Sequence, residues 1–191
     1  MIRDLIVKNR SYRRFHEDQP VARSELLELV DLARLSASAA NMQPLKFFVS
    51  CDEATNVKIF DCLGWAAYLT DWPGPAPGER PSAYIVILGD TVISRNFWCD
   101  HGIAAQSILL GAVEKGYGGC MIASIKKQQL MQALGIPERY EILLVIAIGR
   151  PAERVTIEPV GPQGDIRYWR DDQGVHHVPK RSLDEIVIER F

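Results

Sequence analysis

The run DHGIAAQSILLGAVEK, Asp100 to Lys115, decides how the rest of the chain is read. Ile103, Ala104, Ala105, Ile108, Leu109, Ala112 and Val113 recur at helical spacing and leave little polar surface between them. A helix apolar on nearly every side has to be surrounded by other elements. The small residues Ala105, Ser107, Gly111 and Ala112 let another helix approach closely. In a chain of 191 residues, the simplest way to enclose such a helix is a twofold dimer in which it packs near its own copy.

Strands lie on both sides of it. YIVIL, ending at Leu88, is apolar throughout and is expected at the centre of a sheet covered on both faces. YEILLVIAIG, Tyr140 to Gly149, is a further strand. Between them, GYGGCMIASI reads as a glycine-rich turn entering a short apolar segment. KKQQLMQALGIP reads as a helix stopped at Gly135, with Pro137 beyond it.

Working toward the amino terminus, KFFVSC is a short buried strand, followed by a helix over Glu53 to Leu63 that packs through Val57 and Phe60. SELLELVDLARLS sets Leu26, Leu27, Val30 and Ala33 on one helical face, and MIRDLIVKNR does the same with Ile2, Leu5 and Ile6. GWAAYLTDWPGPAPGERP, residues 64–81, mixes aromatics with proline and glycine, the composition of a shaped lid or pocket loop. Residues 165–191 form a C-terminal arm with a hairpin signal at YWRDDQGVHHV and a final helix over Leu183 to Glu189.

Helices come first and then interleave with strands, so residues 1–191 are expected to form one α+β domain. A doubly wound dinucleotide fold would need a G-x-G-x-x-G turn after its first strand, and none is present. The balance of 22 basic against 24 acidic side chains implies no broad cationic surface and no nucleic-acid partner. Cys51, Cys62, Cys99 and Cys120 are scattered, so neither a metal site nor a disulfide framework follows, and they read as small buried apolar side chains. The start of the chain is not a signal peptide, and no apolar run reaches membrane-spanning length, so a cytoplasmic protein is expected.

Arg10, Ser11, Arg13 and Arg14 form the densest basic cluster. Guanidiniums beside a hydroxyl can hold a phosphate dianion by charge-assisted hydrogen bonds, or can simply form solvated ion pairs. Lys180 and Arg181 make a second basic group far along the chain. SASAANMQP, Ser36 to Pro44, combines small residues with Asn41 and Gln43. Such a run lets a flat ligand lie against backbone while amide side chains meet a heteroaromatic edge, although turn formation accounts for it equally. The glycines of GYGGC permit either a close ligand approach or an ordinary strand entry. His16, His101, His176 and His177 show no partner arrangement for acid/base work, and no serine or cysteine sits in a G-x-S-x-G elbow. A phosphate grip and a flat platform without an acid/base set suit chemistry carried by a cofactor.

Taken in order, NRSYRRF, SASAANMQPLKFFV, DHGIAAQSILLGAVEKGYGGC, LGIPERYEILLVIAIGRPAE and VPKRSLDEIV make the chain resemble the FMN-dependent nitroreductase family over nearly its whole length. The resemblance implies a central mixed, mainly antiparallel sheet flanked by helices, in an intertwined homodimer with FMN at the subunit interface. It implies that Arg10, Ser11 and Arg13, helped by Lys180 and Arg181, grip the FMN phosphate. Ser38, Ala39, Asn41 and Gln43 would line the flavin, partly from the neighbouring subunit, and the main-chain N–H groups of Ala123 and Ser124 would face its N5 edge. NADH or NADPH would reduce FMN, and a nitroaromatic or quinone would then take the hydride in ping-pong order. Other flavin reactions on the same scaffold, or passive flavin binding, stay open. Trp65, Tyr68 and Trp72 are candidates either for stacking on the acceptor or for anchoring the loop.

Overall fold

The structure, a computed structural model, describes residues 1–188. It divides into two compact units: Met1–Trp65 with Gly74–Ala152, and Ala66–Pro73 with the chain from Glu153 onward.

The larger unit is built on a four-stranded antiparallel sheet of order β1-β2-β4-β3, made of β1 (Leu45–Ser50), β2 (Ala83–Asp90), β3 (Gly118–Ile122) and β4 (Tyr140–Gly149). Every residue of β2 is buried, as its unbroken apolar run requires. Alternation then divides the molecule into two cores. Ala83, Ile85 and Ile87 join α2 (Arg23–Arg34) and α4 (Asp100–Glu114), while Tyr84, Val86 and Leu88 join α3 (Glu53–Phe60) and α5 (Lys127–Leu134). In β4 the alternation changes phase. Leu144, Ile146 and Ile148 enter the first core, yet Ile142 enters the second. The register shift between Ile87 and Leu88 explains this, because Ile87 pairs with Leu144 and Leu88 with Ile142, leaving Leu143 as the extra residue of a bulge.

α4 buries Ala104, Ala105, Ile108, Leu109, Gly111 and Ala112. Gly111 is needed for its contact with α2: a methyl carbon there would run into Leu32 and stand 3.1 Å from Leu29. α2 differs from expectation in its buried stripe, which is Leu26, Leu29 and Ala33, while Leu27 is 49% exposed. α3 ends at Phe60, before Leu63, because Leu63 leaves the helix to bridge Ile125. Its buried residue is Ile59, and Val57 faces outward. α1 (Ile2–Lys8) buries nothing within one copy of the chain.

The smaller unit carries a second sheet of order β5-β7-β6. The expected hairpin is present as β6 (Trp169–Arg170) against β7 (His176–Lys180), with Gly174 at a φ of 77° in its turn. β5 (Val155–Pro159), which runs parallel to β7, has no counterpart in the expectations. The last described helix, α6, is Leu183–Ile186; Glu189, the expected end, lies outside the described residues. Cys62 and Cys120 are buried as expected, but Cys99 is exposed. Among the described residues no helix is long and apolar enough to cross a membrane.

Candidate functional site

α1 stops at Asn9, and the basic segment beyond it is held against β3. Ser11 bridges Gly119, and the Tyr12 N–H donates to the Gly119 carbonyl at 3.0 Å. Two glycines make room for this. A methyl carbon at Gly118 would collide with Tyr12 and approach Pro151 at 2.7 Å, and one at Gly119 would stand 2.6 Å from the Ala147 carbonyl oxygen. Of the two readings open for GYGGC, strand entry is therefore the one seen for these glycines: the close approach is made by the protein itself.

Arg10 folds back so that its Nη2 donates to the Ile6 carbonyl at 2.7 Å, near the end of α1. Its Nε is buried without a hydrogen-bond partner, and desolvation by burial draws the guanidinium below its ordinary pKa. Arg13 donates to the Ser11 carbonyl, and Arg14 pairs with Glu79 at 3.2 Å, so Arg14 is engaged in an ion pair. Beyond β3, Ala123 and Ser124 are exposed, and the Ser124 carbonyl accepts from the Gly64 N–H at 2.8 Å. One strand thus joins the basic segment at Gly119 to the Ala123–Ser124 pair, with the two ends about 13 Å apart at the usual strand rise.

Ser38 to Gln43 is held by a residue that sequence reasoning missed. Asp100, the first residue of α4, is 2% exposed and accepts from the Ser38 hydroxyl at 2.6 Å and from the Ala39 N–H at 3.0 Å. The Ser38 Oγ in turn accepts from the Gln43 N–H at 2.9 Å. Between these ties the backbone enters the left-handed region at Ala40, Asn41 and Gln43, a conformation that costs energy in non-glycine residues. The loop also walls a cavity of about 220 Å³ with Ser36, Ala37, Leu45 and Ala104. An acidic residue opening a helix just after an irregular segment was the available signal for Asp100.

The remaining expected residues fall in both units. Trp65, in the larger unit, packs against Phe60 with ring centroids 5.7 Å apart, and its indole nitrogen is buried without a hydrogen-bond partner. Tyr68 and Trp72, in the smaller unit, are engaged there: Tyr68 with the Tyr168 ring at 4.9 Å and Trp72 beneath the Arg170 guanidinium at 4.8 Å. The Lys180 carbonyl accepts from the Val160 N–H, and Arg181 pairs with Glu185 at 3.5 Å. The sequence shows no acid/base partner arrangement for the histidines; in the structure His177 has two carboxylate partners. It lies between Asp171 and Glu158 and stacks on Trp169 at 4.1 Å. Its hydrogen bonds to Asp171 and Glu158 raise its pKa, and the bond from His177 lowers that of Asp171.

Comparison with known proteins agrees with this architecture. The model described as the nitroreductase family matches residues 6–150. A candidate NAD(P)H nitroreductase of Bacillus subtilis (strain 168), YodC, is 27% identical over 177 residues, covering 77% of this chain and 88% of the relative. The solved structure of an FMN-dependent nitroreductase from Clostridium difficile R20291 is 25% identical with a TM-score of 0.64, covering 81% of this chain and 89% of that one. A nitroreductase family protein from Streptococcus pneumoniae TIGR4 superimposes over 100% of both chains with a TM-score of 0.71 at 19% identity. The fold and these similarities define a nitroreductase-like α+β protein. The chain belongs to the nitroreductase family.

Proposed function

We propose that this protein is an FMN-dependent oxidoreductase, acting as a homodimer, that takes hydride from NADH or NADPH and passes it in ping-pong order to nitroaromatics, quinones or similar acceptors. The observation that carries the reading is the pinning of the basic segment to β3 through the Ser11–Gly119 bridge, with Ala123 and Ser124 following directly on the far end of that strand. That arrangement suits an elongated ligand with an anionic group at one end and a hydrogen-bonding ring at the other.

The residues fit the group. The buried, unpartnered Nε of Arg10 is a cationic donor suited to a phosphate oxygen. Arg10, Ser11 and Arg13 would hold the phosphate, and the main-chain N–H groups of Ala123 and Ser124 would orient the ring edge; Lys180 and Arg181, in the smaller unit, are further cations proposed for FMN binding. Ser38, Ala39, Asn41 and Gln43 would line the ring from the partner subunit, their backbone fixed in advance by Asp100. Trp65 would wall the acceptor position and exclude water, while Tyr68 and Trp72 would anchor the smaller unit's part of the loop at residues 64–81. When bound, FMN supplies the hydride chemistry, and the protein supplies position and electrostatics.

The test is direct. The purified protein is expected to be yellow with about one FMN per chain, to bleach on anaerobic addition of NADH or NADPH, and to recover colour with a nitroaromatic or quinone. A flavin that neither nicotinamide reduces rules out the reductase and leaves a passive binder.

A further inference from the structure

Glu53, Asn56, Val57 and Phe60 share one face of α3, at helical spacing. The sequence suggests that this face is core, yet Ile59 takes that place and Val57 is 42% exposed. The face instead walls a cavity of about 560 Å³, within the usual range for small-molecule sites. None of its lining residues belongs to the segments assigned to FMN, and Pro77, Gly78, Arg80 and Pro81 come from the end of the loop at residues 64–81.

Its other wall is the bent run that enters β2, where Arg80, Ser82 and Tyr84 all line the cavity. Each presents a buried polar atom without a hydrogen-bond partner: Arg80 Nε, Ser82 Oγ and the Tyr84 hydroxyl. Tyr84 is 1% exposed, and burial pushes its phenol up, which keeps it a neutral donor. Unpaired buried donors are costly, and native interiors hold few of them. Neighbouring groups are already engaged. Asn56 donates to the Ser82 carbonyl at 2.9 Å and accepts from the Ser50 hydroxyl at 2.7 Å, and Glu17 accepts from the Gly78 N–H. The Arg80 guanidinium lies 4.3 Å over the Phe60 ring. Carboxylates of Glu17, Asp18 and Glu53 also border the cavity, beside the apolar walls of Val57 and Pro77.

Donors on one wall and carboxylates on another discriminate between ligands. A simple anion meets the carboxylates, and a simple amine leaves the three donors unused. We propose that this cavity binds a free α-amino acid with an apolar or aromatic side chain. Its carboxylate accepts from Arg80 Nε and from the Ser82 and Tyr84 hydroxyls, its ammonium faces Glu17, Asp18 and Glu53, and its side chain lies on Val57 and Phe60.

Isothermal titration of the full-length protein as purified, with L-phenylalanine, L-leucine, 3-phenylpropionate and phenethylamine, tests this. An amino acid is expected to bind at least about tenfold more tightly than either single-charge analogue. Tyr84→Phe and Ser82→Ala are each expected to weaken amino-acid binding by about tenfold, while the unliganded melting temperature stays level or rises because an unpaired hydroxyl has been removed. Absence of saturable binding by both amino acids overturns the proposal. So does equal binding of 3-phenylpropionate, or unchanged affinity in the folded Ser82→Ala protein should Tyr84→Phe fail to fold.

Discussion

Asp100 is a buried carboxylate whose two hydrogen bonds hold a loop that is otherwise strained at three positions. Charge-assisted bonds of this kind are stronger than neutral ones. Asp100→Ala is therefore expected to cost about 2–3 kcal/mol in denaturant unfolding, and Ser38→Ala about 1 kcal/mol. A double-mutant cycle should show the two changes to be coupled, since they share a bond. If the loop lines the flavin, Asp100→Ala also weakens FMN retention without touching the ligand. If the proposed FMN site holds, Arg13→Ala should weaken FMN retention while leaving the unfolding midpoint within error; an unchanged cofactor affinity would reduce Arg13 to a surface charge. At this scale sequence reading reached the residue types suited to binding a ligand but missed what positions them. The order Ser38-Ala39-Ala40-Asn41 suits either a close approach or a turn, and Asp100 stands 62 residues from Ser38, a distance that no local pattern bridges.

Among the elements, β3 is crowded by its neighbours at Gly118 and Gly119. Gly119→Ala sets a carbon against the Ala147 carbonyl, part of a sheet with no freedom to retreat, and is expected to destabilise by about 1–3 kcal/mol. Gly135→Ala, at a left-handed helix end with nothing around the added carbon, should cost about 1 kcal/mol for conformation alone. Comparing the two separates crowding from backbone strain. In the smaller sheet the His177 clasp gives a pH signature. The folded pKa of His177 is raised, so its contribution is complete below the unfolded value and is lost as pH rises through the folded one. The folded pKa of Asp171 is lowered, so its contribution is lost as pH falls through that value. Amide exchange in β5 and β7 should be slowest between those limits, and His177→Gln should flatten its alkaline side. The hairpin around this clasp was legible from DDQG, whereas β5 was not. VTIEP alternates too briefly to register, and it becomes a strand only because β7 offers an edge to pair with.

For the molecule as a whole, the order of elements was readable because β2 and β4 are long apolar runs separated by a helix that is itself apolar nearly all round. What one copy leaves uncovered was less readable: Ile2 is 61% exposed, Ile6 46% and Ile103 36%. The proposed twofold assembly, covering α1 and α4, predicts a dimer mass by light scattering at micromolar concentration, and under the proposed FMN site Ile6→Glu or Ile103→Glu should shift it toward the monomer and release FMN together. A monomer that keeps its cofactor would mean that one chain completes the site. The bulge opposite Ile87 and Leu88 has its own implication for how this lineage can change length. Because Leu143 is the extra residue between two phases of one strand, deleting it would make Leu144 and Ile142 direct neighbours opposite Ile87 and Leu88 and keep each in its own core, and a loss within the loop at residues 160–165 would likewise leave both interiors untouched. Tolerated single-residue deletions should therefore be found at Leu143 and in that loop and be rare in β2, where every residue has a partner and one lost letter shifts the reading frame.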